Sequence, residues 1–146
     1  MPSRTIGEMI AGGQIVHITP DASIYQACEL MVERSVGAIL VMEQGRLHGI
    51  LSERDVVHGL VVPRADPDQT SVQSLMTPDP QTAPPETPAV DALVTMQDAG
   101  FRHLPVVSVE GEVYGMVTLG DFLAPEVATA EQEAASGMQV YESPSV

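Results

Sequence analysis

Lysine and tryptophan are absent from this chain of 146 residues, cysteine occurs once, and there are only two phenylalanines and three tyrosines. The missing lysines leave six arginines against 20 acidic residues, a formal net charge of −14. A nucleic-acid binder neutralises phosphates with clustered basic side chains, and no such cluster exists, so nucleic acid is not an expected partner. Anionic membrane surfaces are disfavoured on the same ground. Any anionic ligand has to be held by local donors that overcome a repulsive global field. The single thiol, Cys28, rules out an internal disulfide framework and fits a reducing cytoplasm. No apolar run approaches the ~20 residues that span a bilayer, so no membrane segment is expected. Residues 1–10 hold one arginine and no long apolar stretch, which argues against a secretory signal.

What the chain does contain is a copy of itself. Pro20, Asp21, Ala27, Met31, Ile39 and Val41 meet Pro85, Glu86, Ala92, Met96, Leu104 and Val106 at an offset of 65. One extra residue then raises the offset to 66, which pairs Gly45 with Gly111, Leu47 with Val113, Gly49 with Gly115, Ser52 with Thr118 and Asp55 with Asp121. Types repeat in order over roughly forty positions, too many for chance. A half of roughly 60 residues buries too little surface to stand comfortably alone, so the halves should lean on each other. With 44% hydrophobic residues and so few rings, their core must be aliphatic.

Each copy reads locally as β-α-β-β-α. Residues 15–18 form a strand candidate closed by Thr19-Pro20-Asp21. Ile24, Ala27, Cys28 and Met31 fall at i, i+3, i+4 and i+7, one face of a helix, with Ser23 as N-cap and Gln26 completing a capping box. Residues 38–42 are continuously apolar, as in a strand buried on both faces, and 47–51 return after a Glu43-Gln44-Gly45-Arg46 turn. A helix should follow over 53–61. The second copy predicts a weak strand near Gln81, a helix over 89–99, strands over 103–107 and 113–117, and a helix from about Leu119. The expected division is a first repeat over 5–62, a Pro-punctuated linker over 63–70, a second repeat over 71–124 and an acidic tail over 125–146. Short helical leads precede each copy over 5–10 and 71–76. The tail has four acids and no base, and is expected to be a frayed helix followed by disorder.

The segments Gly49-Ile50-Leu51-Ser52-Glu53-Arg54-Asp55 and Gly115-Met116-Val117-Thr118-Leu119-Gly120-Asp121 share the form G-h-h-[S/T]-x-x-D at a strand exit and helix entry. With an Ala-x-x-x-Met helix before each and the Leu-Pro-Val-Val strand of residues 104–107, the chain resembles a tandem pair of CBS domains, named after cystathionine β-synthase. Such a pair is a Bateman module, here of the stand-alone bacterial and archaeal type. The resemblance covers residues 5 to about 124. It implies an α+β fold of two repeats packed through their sheets with pseudo-two-fold symmetry, leaving two clefts that often bind adenosine derivatives. It further implies that Asp55 with Ser52, and Asp121 with Thr118, face ribose or phosphate, that Ile50 and Met116 could wall an adenine pocket, and that Arg54 and the Arg102/His103 pair supply phosphate donors.

The chemistry is sound on its own terms. A carboxylate can accept from both cis hydroxyls of a ribose, and a helix start favours a phosphate. The competing reading is ordinary helix capping, since Ser-x-x-Asp and Thr-x-x-Asp also occur simply to satisfy helix N-termini. Copy one carries Arg54 where copy two has Gly120, and copy two carries Arg102-His103 where copy one has Gly37-Ala38, so two unequal sites are expected. Arg102 and His103 could also be merely solvated at a strand edge, and Ile50 and Met116 merely core. His17, His48 and His58 lack metal-ligand spacing with Cys28, which sits on the apolar helix face, so no metal site is expected. No phosphate loop and no nucleophile–base pair stands out.

These readings predict a non-enzymatic regulatory module working as a homodimer and binding AMP, ADP, ATP or S-adenosylmethionine, with no catalytic cofactor and an unidentified protein target. The negative charge ranks AMP or cationic S-adenosylmethionine above ATP. One alternative is a ligand-free dimerisation and docking protein. Another, an enzyme using Glu53 and Asp55 as an acid–base pair, would need turnover lost in Glu53→Gln.

Overall fold

The fold was obtained as a computed structural model that describes residues 4–142, with side chains as far as 133. The chain runs α1 (Ile6–Ile10), β1 (His17–Ile18), α2 (Ile24–Arg34), β2 (Ala38–Glu43), β3 (Arg46–Ser52) and α3 (Glu53–Val56). It continues with α4 (Val72–Leu75), β4 (Thr77–Pro78), α5 (Ala89–Ala99), β5 (His103–Val107), β6 (Val113–Thr118) and α6 (Ala124–Glu142). This is an α+β fold of two pseudo-two-fold-related repeats.

Helix α2 starts where its capping chemistry demands. Ser23 Oγ accepts from the Gln26 amide at 3.1 Å, and Gln26 Oε1 accepts from the Ser23 amide at 3.0 Å, an arrangement that stabilises a helix end by about 1 kcal/mol. Its apolar face buries Ile24, Ala27 and Met31. Helix α5 buries Ala89, Ala92, Leu93 and Met96 but begins at Pro88 with no side-chain cap. Both helices stop through a left-handed residue, Ser35 at φ 55° and Gly100 at φ 78°.

The first sheet has the order β1-β2-β3-β4, with β1 parallel to β2 and the other pairings antiparallel. Ala38–Val41 of β2 is buried throughout. The second sheet pairs β5 with β6, and the weak strand expected near Gln81 is reduced to one parallel bridge from Ala83 to Val106. Pro80, Pro84 and Pro85 flank that bridge and offer no amide to a ladder.

Three elements depart from their expected form. The helix over 53–61 is α-helical only to Val56 and then widens into a π turn over Val57–Val61. The widening turns Leu60 into the core and leaves Val57, Val61 and Val62 exposed. The helix expected from Leu119 is a 3-10 turn over Leu119–Asp121, followed by the 19-residue α6. Helix α6 packs on α5, and its Ala130 is buried in the second core, so that core draws on residues beyond 124. The disorder expected at the chain's end concerns residues 143–146, which lie outside the described span.

The leads cross over. Ile6 of α1 is fully buried in the core of the second repeat, where its amide donates to Thr87 O at 2.9 Å and the Ala89 amide donates to Arg4 O at 2.9 Å. Val72 of α4 is fully buried in the core of the first repeat, with its amide on Ala22 O at 2.8 Å and the Ile24 amide on Thr70 O at 2.9 Å. Each lead therefore precedes one copy in sequence and completes the core of the other. Two short repeats that bury too little alone are joined by this exchange, which gives neither a closed boundary.

Candidate functional site

The two repeats meet at a pair of clefts built from equivalent positions. The larger, of about 690 Å³, is lined by Ile50, Ser52, Glu53, Arg54 and Asp55 of the first repeat. From the second repeat come Gly100, Phe101, Arg102 and His103, with Thr77, Pro80 and Gln81 from the connecting chain. The smaller, of about 410 Å³, is lined by Met116, Thr118 and Asp121 facing Ser35, Val36, Gly37 and Ala38, with Gln14 and Val16. Residues 50, 52 and 55 correspond to 116, 118 and 121, and residues 100–103 to 35–38, so one cleft is the pseudo-symmetric image of the other. Both volumes fall in the range of about 300–1,000 Å³ typical of small-molecule sites.

Strand exit, cap and cleft are one local structure. At the end of β3 the Ser52 amide donates to Asp55 Oδ2 at 2.9 Å, the Ser52 hydroxyl donates to the same oxygen at 3.0 Å, and the Asp55 amide donates to Ser52 Oγ at 3.2 Å. At the end of β6 the Thr118 amide donates to Asp121 Oδ2 at 2.7 Å. Both acids therefore cap, as the competing reading expected. Each does so through one oxygen, and Oδ1 of either accepts no hydrogen bond among the described residues. The first helical amide in each copy reaches across to the other strand's approach, Glu53 N to Gly37 O at 3.0 Å and Leu119 N to Arg102 O at 3.1 Å.

All the candidate residues from the sequence line a cleft, but their grouping differs from the sequence order. Arg102 immediately precedes β5 of the second copy and His103 opens it, yet both line the cleft of Asp55 of the first. The two basic sets are thus gathered in one cleft, and only His103 reaches the other. The cause is the pseudo-symmetry, which faces each G-h-h-[S/T]-x-x-D turn with the opposite repeat's strand approach. Arg54 and Arg102 form no ion pair among the described residues.

Gly37, His103 and Thr118 line both cavities and form the wall between them. A Cβ on Gly37 would come within 2.6 Å of Glu53 Oε1, so only glycine lets that carboxylate lie against the wall. Burial pushes the His103 imidazole below its ordinary value, and the neighbouring Arg102 pushes it the same way, while Glu53 and Asp121 oppose both. Its ring is therefore largely neutral near pH 7.

Sequence reasoning missed Phe101, Gln81 and Pro80 in the larger cleft and Gln14 and Val16 in the smaller. The repeat offset held a signal, since Gln81 corresponds to Val16 and Phe101 to Val36. Among the described residues no group of three His, Cys, Asp or Glu could hold a metal ion, and no helix is long and apolar enough to cross a membrane. Cys28 lies partly buried against the first core, and burial raises its thiol pKa.

A duplicated α+β unit with exchanged leads and paired inter-repeat clefts defines the class of protein. The CBS domain profile matches residues 6–62 and 72–125, and the chain belongs to the CBS-domain family. It is 34% identical over 128 residues to the mitochondrial CBS domain-containing protein CBSX3 of Arabidopsis thaliana, covering 84% of this chain and 62% of that protein. It spans 23% of a second Arabidopsis thaliana relative, CBSCBSPB1, at 30% identity and 85% coverage of this chain, so it matches only part of such longer proteins. In structure it is similar to a CBS domain protein from Pyrobaculum aerophilum complexed with AMP, with a TM-score of 0.78, 22% identity, and coverage of 88% of this chain and 98% of the other. It is also similar to the CBS domain pair of protein MJ0100, in complex with 5′-methylthioadenosine and S-adenosylmethionine, with a TM-score of 0.72, 21% identity, and coverage of 82% and 93%. At those identities the likeness concerns the fold.

Proposed function

We propose that this chain is a regulatory module that binds an adenosine derivative between its repeats and passes the bound state to a protein target. The observation that carries this reading is the convergence of Ser52, Arg54 and Asp55 with Arg102 and His103 on one cavity of about 690 Å³. The free Oδ1 of Asp55 can accept from a ribose hydroxyl without breaking the cap. Ile50 and Phe101 offer apolar walls for a base, and the two guanidinium groups suit a phosphate. The ligands carried by the two structural relatives support the same chemistry. A ligand held by both repeats favours one packing of the pair, which a target then reads.

The strong negative charge favours AMP or S-adenosylmethionine over ATP. Calorimetry with AMP, ADP, ATP and S-adenosylmethionine tests the ranking, and tightest binding of ATP overturns it. Native mass spectrometry of the purified protein tests the reading as a whole by revealing a co-purified adenosyl compound.

A second reading, a ligand-free dimerisation and docking protein, is favoured by the capping role of both acids. Asp55→Asn separates the two. Asn caps nearly as well, so a docking protein barely changes, whereas a ribose site loses affinity about 10-fold or more. Homodimerisation through α2 and the α3 region is part of the proposal, supported by the exposed Val32, Val57, Val61 and Val62. A single, partly buried thiol fits the reducing cytoplasm as its place of work.

A further inference from the structure

We infer that the two clefts divide their ligands by charge: the Asp55 cleft takes a 5′-phosphorylated adenosine, and the Asp121 cleft takes an adenosine derivative without phosphate, uncharged or cationic. This rests on the adenosyl reading above and assigns each cleft its own ligand class.

The division follows from where six arginines fall in a chain with 20 acids. Arg54 and Arg102 approach the larger cleft from different repeats, and neither forms an ion pair among the described residues. Two unpaired guanidinium groups at one cavity are a planar, multidentate match for a phosphate. Without them the only formal charges facing a phosphate there would be Glu53 and Asp55.

The smaller cleft has no arginine in its lining, and its one formal charge is Asp121. Of the two arginines near it, Arg4 is taken up by an ion pair and Arg34 stays outside the lining. Arg4 donates through Nη2 to Asp121 O at 3.1 Å, but its charge is taken up by Glu126, with Nε on Oε2 at 2.8 Å and Nη2 on Oε1 at 2.9 Å. Arg34 stands outside the lining, with Nη1 donating to Oε1 of the lining residue Gln14 at 2.7 Å, so it borders the cleft without facing into it. Burial and Arg102 disfavour a charge on His103, which both clefts share, against the opposing effect of Glu53 and Asp121. A phosphate in this cleft would therefore meet the Asp121 carboxylate with no arginine in the lining to offset it. A nucleoside with an apolar or cationic 5′ substituent suits both the carboxylate and the walls made by Val16, Val36, Leu40 and Met116.

The test is calorimetry on the full chain with AMP and with 5′-methylthioadenosine, each alone and in the presence of saturating amounts of the other. The proteins are wild type, Asp55→Asn, Asp121→Asn, Arg34→Gln and the double variant Arg54→Gln/Arg102→Gln. Circular dichroism checks folding, which the Asn variants keep because Asn also caps. The expected result is that the two ligands bind together. AMP affinity should fall about 10-fold or more in Asp55→Asn and in the double variant, and methylthioadenosine affinity should fall as much in Asp121→Asn. Competition for a single site overturns the inference, as does an AMP loss in Asp121→Asn equal to that in Asp55→Asn, or loss of AMP binding in Arg34→Gln. Each of those outcomes leaves the adenosyl reading standing. Binding of no adenosyl compound by wild type overturns that reading, and this inference with it.

Discussion

Arg4 and Glu126, 122 positions apart, form a two-pronged ion pair, with Nε on Oε2 at 2.8 Å and Nη2 on Oε1 at 2.9 Å. The same Glu126 Oε1 accepts from the Leu123 amide at 2.7 Å, and Arg4 also donates to Asp121 O at 3.1 Å. One side chain of the N-terminal lead thus ties the turn that carries Asp121 to the start of α6. Hydrogen bonding to Arg4 holds the Glu126 carboxyl below the usual carboxylate range, against an opposing effect of burial. A carboxyl depressed in the folded state contributes stability that is present above its unfolded pKa and lost as pH falls through the folded one. Arg4→Met is therefore expected to cost about 1–2 kcal/mol at pH 7. In urea titrations the gap between variant and wild type should narrow as pH falls below the ordinary carboxylate value. A gap that stays constant with pH would contradict this role.

That strap was invisible in the sequence, and the reason is general to this chain. The 65- and 66-residue offsets, the Ala-x-x-x-Met helices and the paired G-h-h-[S/T]-x-x-D turns expose the repeat, the order of elements along each copy and both cleft acids, because all are local periodicities, whereas β4 and its pairing with β3 left no such signal. Which repeat a lead completes is not local. Ile6 and Val72 show an apolar residue at a helix start and say nothing about which core receives it. For the same reason Arg102 reads as a feature of the second copy, although it faces Asp55 of the first. The π turn at Val57–Val61 was equally hidden, since apolar residues at 57, 60 and 61 fit either helical period.

His103 predicts a pH-dependent affinity. Burial first, and Arg102 second, lower its pKa, against Glu53 and Asp121. A histidine depressed in the folded state stabilises the fold above its unfolded pKa, and this contribution is lost as pH falls through that value towards the folded one. Unliganded wild type should thus lose more thermal stability between about pH 7 and 5 than His103→Gln, as differential scanning fluorimetry would show. A bound phosphate favours the protonated ring, so AMP binding should weaken less on acidification in wild type than in His103→Gln. Comparing the two cancels the titration of the phosphate itself. Parallel pH profiles would remove His103 from the phosphate's surroundings.

Ser35 occupies the left-handed position that Gly100 fills in the second repeat, at φ 55° against 78°. A left-handed backbone costs a non-glycine residue roughly 1–2 kcal/mol, partly offset by the greater freedom glycine has when unfolded. Ser35→Gly is expected to raise stability by roughly 0.5–1 kcal/mol, read as a higher urea midpoint with unchanged slope. A lower midpoint would mean that the Ser35 side chain makes a stabilising contact.

Gly37 tests the wall between the clefts. Alanine there would put its Cβ 2.6 Å from Glu53 Oε1, the mobile end of a side chain, so Glu53 can swing aside at little expense to the fold. The displaced carboxylate has the larger cleft to move into, towards the ligand's expected phosphate. Gly37→Ala should therefore leave the melting temperature within a few degrees of wild type while weakening AMP about 10-fold. Loss of stability with unchanged affinity would make Gly37 a packing residue only.

The proposed homodimer would be opposed by the charge of its two copies and promoted by their helices. Val32 and Val57 flank a largely apolar groove of about 500 Å³ with Cys28, Met31, Val36 and Val56, which Glu53 also lines, and the exposed Val61 and Val62 follow on the same turn of chain. Water-exposed valines on neighbouring helices are stabilised when a second copy covers them, by about 25 cal/mol for each Å² of apolar surface removed. Each copy carries a formal charge of −14, whose repulsion is screened with a Debye length of about 10 Å at 0.1 M salt and 30 Å at 0.01 M. Sedimentation equilibrium should show a dimer that tightens as salt rises from 0.01 to 0.3 M, the opposite of an interface held by ion pairs. Val57→Asp adds a charge in the groove and should give a folded monomer. A wild type that stays monomeric at high salt, or a Val57→Asp variant that still dimerises, would exclude this face as the interface.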